Sequence, residues 1–378
     1  MRSFITRHYV RSFYEATQIY LQSRGIAWFD MECINKVVNF LGRSREFVSA
    51  SDINRAGILN DVKFSTPHEA GYMLKLLWYL GFARAKYQDG KFFYTLSTRG
   101  REYYRLLCEG KVKTVTPLFY KAVTRWRPVR TLLSYMANRG EVTVRDIVKD
   151  LGGDMLYWTK IMRDFGFRVY GGKKGVRKPY NKFVVRNCLF PIAEELGLVE
   201  RFDAKFRLTS LGREVLNAER TTYEVIRSRP KEPFIYAAIC DTLLFSDEAI
   251  IVSPWIDVKV ADNLVQGIEL HGRLSEVRII VREPKPRGST KRALKLLHER
   301  LSKLGVSIKF RATPRRGPLA LHAKVFTTNE RGIITSANLQ YTSLWNNFEM
   351  GVYFKAGVPL DMLNLLEDLW ESSRALKI

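Results

Sequence analysis

The chain has 378 residues, 46% of them hydrophobic, which is enough for more than one packed core. Its 62 Lys and Arg against 38 Asp and Glu leave a formal charge of +24, which points to a polyanionic partner. No apolar run is long enough to span a bilayer, and no signal-peptide core or lipidation motif stands out, so a cytoplasmic protein without a membrane partner is expected. Cys33, Cys108, Cys188 and Cys240 are scattered without metal-ligand spacing and read as reduced thiols. No cofactor and no metal site is expected. Sparse Gln beside abundant Arg, Lys and Tyr fits a thermophilic source.

Along the chain, two early regions end alike. Leu80-Gly81-Phe82 leads through Phe93-Tyr94-Thr95-Leu96-Ser97 to Gly100-Arg101-Glu102, and Leu196-Gly197-Leu198 leads through Phe206-Arg207-Leu208-Thr209 to Gly212-Arg213-Glu214. In each, an amphipathic helix stops at a Gly, a hairpin follows, and Gly-Arg-Glu enters another helix. This pattern is similar to the winged helix-turn-helix family, present twice. In the first copy residues 51–60 are expected to form the supporting helix, capped by Ser51, and Thr66-Pro67 to open the recognition helix. His68, Glu69, Tyr72 and Lys75 then lie on its polar face, with Met73, Leu76, Leu77 and Leu80 turned inward. The wing is 83–96, turning at Asp89-Gly90. In the second copy the supporting helix is expected at 142–151, the recognition helix at 179–196 and a shorter wing at 200–209. Lys173, Lys174, Arg177, Lys178 and Lys182 form a basic run leading into that recognition helix, and Arg125, Trp126, Arg127 and Arg130 add basic and aromatic surface. With Lys75, the five residues of that run are the expected DNA-phosphate contacts. The domain division expected is 1–112, 113–220 and 221–378.

After a junction at 221–234 the elements alternate. A helix from about 235 is followed by strand 249–253, helix 258–271, strand 277–282, helix 290–304 and strand 306–311. Two short strands, a strand at 348–354 and a helix at 359–373 complete an α/β/α domain. The fold class is therefore α/β, with mainly α winged helices ahead of it. Lys285, Arg287 and Lys291, with Arg311, Arg315 and Arg316, are expected to rim its site. His271 and His298 lie on helices and read as helix-end or surface groups.

The chemistry concentrates in His322-Ala-Lys324, Thr335-Ser336-Ala337-Asn338 and Glu349. Side chains two apart on a strand share a face, so His322 and Lys324 point together, and a second strand after the 329–332 turn returns Ser336 and Asn338 beside them. A nucleophile, a fixed positive charge and neutral donors at one place suit a phosphoryl group. The spacing His322-x-Lys324-(x)4-Asn329-(x)5-Thr335-Ser336-x-Asn338 resembles the HKD motif of the phospholipase D superfamily, H-x-K-(x)4-D-(x)6-G-S-x-N. The resemblance covers about 221–378 and extends to Pro254-Trp255-Ile256-Asp257 and Asn346-Asn347-Phe348-Glu349. It implies His322 as the nucleophile that forms a phosphohistidine, Lys324 and Asn338 on the phosphate, and Glu349 orienting an imidazole, with Ser336 in the motif. Asn329 stands for the family Asp, Thr335 for the family Gly, and the intervening turn is one residue short. A β-branched Thr335 beside the phosphate site is the departure that could crowd it and reduce or remove activity.

The family chemistry uses two histidines, and this chain carries one H-x-K. The resemblance thus implies a homodimer through the C-terminal domain, with both protomers sharing one site. The reading that follows is a DNA-binding, metal-independent nuclease. Its alternative is a winged-helix transcriptional regulator whose last domain senses a ligand or dimerises without catalysis. A phosphatidyl transferase ranks behind both, since nothing in the chain anchors it to lipid.

Overall fold

The computed structural model describes residues 9–378 except 25, 27, 45, 61–68, 170, 173–174, 177–178, 218–221, 245 and 318–319, with backbone alone at 112–116, 171–172 and 175–176. Thr66, Pro67 and His68, and Lys173, Lys174, Arg177 and Lys178, lie outside the described residues. The contacts divide the chain into two compact units. One comprises Met1–Arg11, Gln18–Leu156 and Gly172–Glu219, the other Ser12–Thr17, Tyr157–Gly171 and Arg220–Ile378.

The first unit holds two copies of one local design. In the first copy, helices Met31–Arg43, Ala50–Arg55 and Glu69–Tyr79 precede the hairpin Ala83–Gln88 and Lys91–Leu96. Val48 and Tyr94 exchange backbone hydrogen bonds of 2.8 and 2.7 Å, so a single residue before the second helix acts as the third strand. In the second copy Val142–Thr143 pairs with Lys205–Leu208, which pairs with Val199–Phe202. Both middle helices open on a reciprocal box. The Ser49 hydroxyl accepts from Asp52 N–H while the Asp52 carboxylate accepts from Ser49 N–H, and Thr143 and Asp146 repeat the exchange. The cap of the first is Ser49, not Ser51, because only Ser49 has a carboxylate three residues on.

The shared ending is likewise explained. Gly81 and Gly197 adopt positive φ to stop the preceding helix. The Ser97 and Thr209 hydroxyls donate to the carbonyls of Gly81 and Gly197 and accept from the N–H of Gly100 and Gly212. A Cβ on Gly100 would stand 1.9 Å from Phe82 O, and one on Gly212 2.2 Å from Leu198 O. Only glycine fits either place. The wing turn at Asp89-Gly90 has positive φ at both residues, as a two-residue hairpin loop of that twist requires.

Two helices of the second copy depart from expectation. The supporting helix does not stop near Leu151 but runs Val144–Asp164, through Gly152 and Gly153. The recognition helix begins at Lys182 behind an Asn181 cap and contains a π-turn at Val185–Leu189. Pro191 explains the irregularity, since it has no N–H to give to the carbonyl four residues back. That carbonyl, of Asn187, instead accepts from Phe29 N–H at 2.9 Å.

The second unit is a layered α/β domain. Its eight-stranded sheet runs in the order Arg374–Ala375, Ser307–Thr313, Glu276–Arg282, Glu248–Val252, Val325–Thr327, Gly332–Thr335, Glu349–Phe354 and Tyr223–Ser228. Ser307–Thr313, Glu276–Arg282 and Glu248–Val252 are parallel, and the strands from Val325 to Ser228 in that order are antiparallel. Of the parallel members, Glu248–Val252 is buried from Ala249 onward and Glu276–Arg282 at Val277 and Ile279–Val281, as strands covered on both faces are. Helices Phe234–Leu244, Val258–His271 and Ser289–Lys303 pack side by side. On the opposite layer Leu366 and Trp370 of the helix Leu360–Ser372 join Ile250, Val252, Ile280, Leu321 and Val325 in one core cluster. The expected junction at 221–234 contains the edge strand Tyr223–Ser228, which pairs with Glu349–Phe354.

Residues 12–17 and 157–171 complete the aromatic interior of this unit. Phe13 meets Trp158, Phe165 and Phe167 edge-on, Phe167 stacks on Tyr236, and the Tyr236 hydroxyl donates to Phe165 O at 3.0 Å. Gly267 leaves room for the Phe165 ring, which a Cβ would approach to 2.4 Å. His271 contacts Asp164 at 2.6 Å at the end of its helix, and His298 lies edge-on to Phe310, the helix-end and surface places expected for them.

Candidate active site

The strand Val325–Thr327 runs antiparallel to Glu248–Val252, so the residues just before it lie beyond the carboxyl ends of the parallel strands. Open α/β sheets bind ligands at that edge. His322 and Lys324 lie there in extended chain ahead of the strand rather than within it. Thr335 N–H donates to Lys324 O at 3.0 Å, which carries the ladder one step further and sets Lys324 opposite Thr335. Ser336 and Asn338 follow on the same edge. His322 is exposed and Lys324 half-buried.

Glu349 opens the neighbouring strand, and its carboxylate accepts from Ser343 Oγ at 2.6 Å and from Ser336 Oγ. The Ser336 hydroxyl also accepts from Met350 N–H at 3.1 Å. Thus Ser336 and Glu349 are locked together, and Glu349 is held by two serines within the chain. Asn338 N–H donates to Ser343 Oγ at 3.2 Å, while its buried side-chain oxygen has no partner among the described residues. Ser253 and Asp257 tie the loop behind. Leu339 N–H donates to Ser253 Oγ, and Asp257 caps Val258–His271 while accepting from Tyr341 N–H.

Arg282, the last residue of its strand, was not singled out by sequence. Its guanidinium lies 4.7 Å from the ring centre of Trp255, donates to Leu321 O and stands 3.1 Å from His322 Nε2. A guanidinium only donates, so this contact requires the lone pair on Nε2 and places the proton of the neutral ring on Nδ1. Arg282 therefore holds the ring nitrogen that carries the lone pair. The end of a parallel strand beside the motif was the available signal for Arg282.

Thr335 does not crowd this edge. It is buried, its hydroxyl donates to Met350 O at 3.0 Å and accepts from Ala337 N–H at 3.1 Å. Gly351 opposite makes the room, since a Cβ there would come within 3.3 Å of the Thr335 Cβ. Asn329 lies at the far end of the hairpin, in a turn where Thr328 Oγ1 accepts from the N–H of Glu330 and Arg331.

The basic rim is smaller than expected. Lys285, Arg287, Arg315 and Arg316 are exposed on loops after the parallel strands. Arg311 instead donates to the carbonyls of Trp370, Glu371 and Ser373 and lies 4.9 Å from the Trp370 ring centre, so it caps the final helix. In the first unit Lys182 is exposed, whereas Lys75 is half-buried, and burial followed by the nearby Arg24 pushes its ammonium below the usual lysine range. Neither belongs to the unit that holds His322. Among the described residues no helix is long and apolar enough to cross a membrane.

Residues 246–368 match the family model described as cardiolipin synthase, PLD-like domain. No curated protein matches the chain. Of solved structures, Nuc from Salmonella typhimurium, a phospholipase D family member, is 16% identical over 41% of this chain and 99% of its own, with a TM-score of 0.34. NucT from Helicobacter pylori is 12% identical over 41% and 99%, with a TM-score of 0.29. TrmBL2, an archaeal chromatin protein whose structure is described as showing a novel mode of DNA binding, is 11% identical over 92% and 94%, with a TM-score of 0.28. The family match spans the H-x-K and S-x-N residues, which flank two neighbouring strands at one sheet edge. The C-terminal region of this chain is a domain of the phospholipase D superfamily.

Proposed function

We propose that the chain is a metal-independent phosphodiesterase of nucleic acids, a nuclease that works as a homodimer through a phosphohistidine. The observation that carries this reading is the exposed His322 beyond the ends of the parallel strands, its Nε2 held by Arg282, with Lys324, Ser336 and Asn338 on the same edge. In this reading His322 Nε2 attacks phosphorus as the P–O bond to the leaving strand breaks, and the leaving oxygen takes a proton from the second protomer's imidazole. That imidazole then takes a proton from water, whose oxygen attacks phosphorus and frees His322. Lys324 and Asn338 hold the non-bridging oxygens, and Ser336 keeps Glu349 in place. The winged-helix-like segments, 1–112 and 113–220, deliver DNA to the segment 221–378, with Lys75, Lys173, Lys174, Arg177, Lys178 and Lys182 on its phosphates.

A dimer is supported by one face of the sheet. The paired row Val252, Val325, Ile334, Val352 and Val225 crosses it on a single side. The helix Leu360–Ser372 covers the first two of these, but Ile334 is 43% and Val225 63% exposed, and Met350 on the same face is 62% exposed. Exposed apolar area of this kind next to a site marks an interface. Val225→Glu is expected to convert dimer to monomer in sedimentation and to remove cleavage with it. A monomeric variant that still cleaves would sink the shared site.

The direct test is cleavage of plasmid and single-stranded DNA with and without EDTA. Cleavage unchanged by EDTA is expected, and a strict requirement for Mg²⁺ would contradict the reading. Lys324→Ala is expected to lower kcat by about 10²–10³-fold, the usual loss of one fixed transition-state contact, measured in single-turnover cleavage.

A further inference from the structure

In the first unit the second repeat encloses a groove of about 840 Å³. One wall is the start of the helix Val144–Asp164. The second is the recognition-helix face that carries Lys182, Arg186, Phe190 and Glu194, spaced by four residues and so aligned. The wing closes the third side at Arg201, Ala204 and Phe206.

The chemistry of the groove is divided. Arg145, Lys149, Lys182, Arg186 and Arg201 line it and are exposed, against Glu194 as the one acid among the described lining residues. Val144, Val148 and Pro191 make it apolar beneath, over Phe190 and Phe206, whose rings stack at 3.5 Å. Burial raises the Glu194 carboxyl above its ordinary value, with Arg201 opposing.

Cations alone would serve to track the outside of a duplex, and that task needs no cavity. A cavity of this size falls in the range of small-ligand pockets. An unpaired nucleotide offers both matching parts, a flat apolar base and a phosphate on its edge, whereas the base of an intact duplex is stacked away from reach. We propose that the groove binds one unpaired nucleotide of a nucleic-acid strand, with the phosphate on the cationic rim and the base against the apolar floor. The inference rests on the nucleic-acid reading above and adds a preference for single strands or frayed ends.

The test uses the full chain with His322→Ala to prevent cleavage, titrated by fluorescence anisotropy into labelled oligothymidylate and a blunt duplex of equal length. Ala204→Trp fills the groove from an exposed turn and leaves every cation in place. It is expected to weaken single-strand binding by about tenfold, the usual range for one stacked base, with duplex binding unchanged. Arg186→Glu is expected to weaken the single strand as well. Equal affinity for both forms with Ala204→Trp neutral on each would overturn the proposal while leaving nucleic-acid binding intact. Absence of binding to either form would overturn the nucleic-acid reading itself, and this proposal with it.

Discussion

His322→Ala is expected to lower phosphodiester cleavage by about a millionfold, the order seen when an enzyme loses its nucleophile, and to leave nucleic-acid affinity within about twofold. The imidazole is exposed at the sheet edge and meets the Arg282 guanidinium, so the change removes chemistry more than packing. Binding on this account resides mainly in the first unit, which the substitution does not touch. Single-turnover cleavage and anisotropy on the same preparation separate the two effects. Cleavage that persists in a carefully purified variant would remove His322 from the mechanism. Inactivity of the unmodified chain on every nucleic acid would instead favour a regulator whose last domain senses a ligand or dimerises.

Asp241→Ala should be the most damaging single change to stability, at about 3–5 kcal/mol. Asp241 is 1% exposed, yet its carboxylate accepts from Arg331 Nη1 at 2.8 Å, from Tyr14 N–H at 3.3 Å and from the Tyr353 hydroxyl. Burial raises its carboxyl pKa, with the Arg331 charge and these hydrogen bonds pulling the other way. Truncation takes from the Arg331 guanidinium and the buried Tyr353 hydroxyl the acceptor they share inside the unit. Thermal melting should fall by about 10 °C. Adding Arg331→Met to Asp241→Ala should recover part of the loss, because the guanidinium that bonded Asp241 goes too. A single variant that melts within about 2 °C of the parent would mean the pair carries no such weight.

Much of the fold was legible because local chemistry and long-range packing agree. The apolar runs at 249–252 and 277–281 could only be buried strands. The paired Gly-Arg-Glu endings reflected one steric rule, a glycine against the carbonyl of Phe82 or Leu198. The Ser49 cap was legible locally and missed, since Asp52 three residues on closes the box with it. Other features depend on partners or packing that the local sequence does not show. Gly152-Gly153 reads as a helix stop, yet the helix continues through it. The edge strand Tyr223–Ser228 looked like a junction because Tyr223 and Val225 on its apolar side remain exposed. Within the site, His322, Lys324, Ser336, Asn338 and Glu349 were visible from spacing. Arg282 and Ser343 were not, since their places follow from strand register and from a short helix after the motif. Gly351, which makes room for Thr335, is visible only across the ladder.

The central claim is a covalent bond between His322 and phosphorus. A single-stranded substrate labelled at the reacting phosphate should be mixed with the full chain in EDTA, quenched in alkali within the first turnover, and digested for mass spectrometry. The account predicts label on the peptide that contains His322, lost on brief acid treatment and absent from His322→Ala. Active enzyme that releases product with no label on that peptide at any time in the turnover would contradict it.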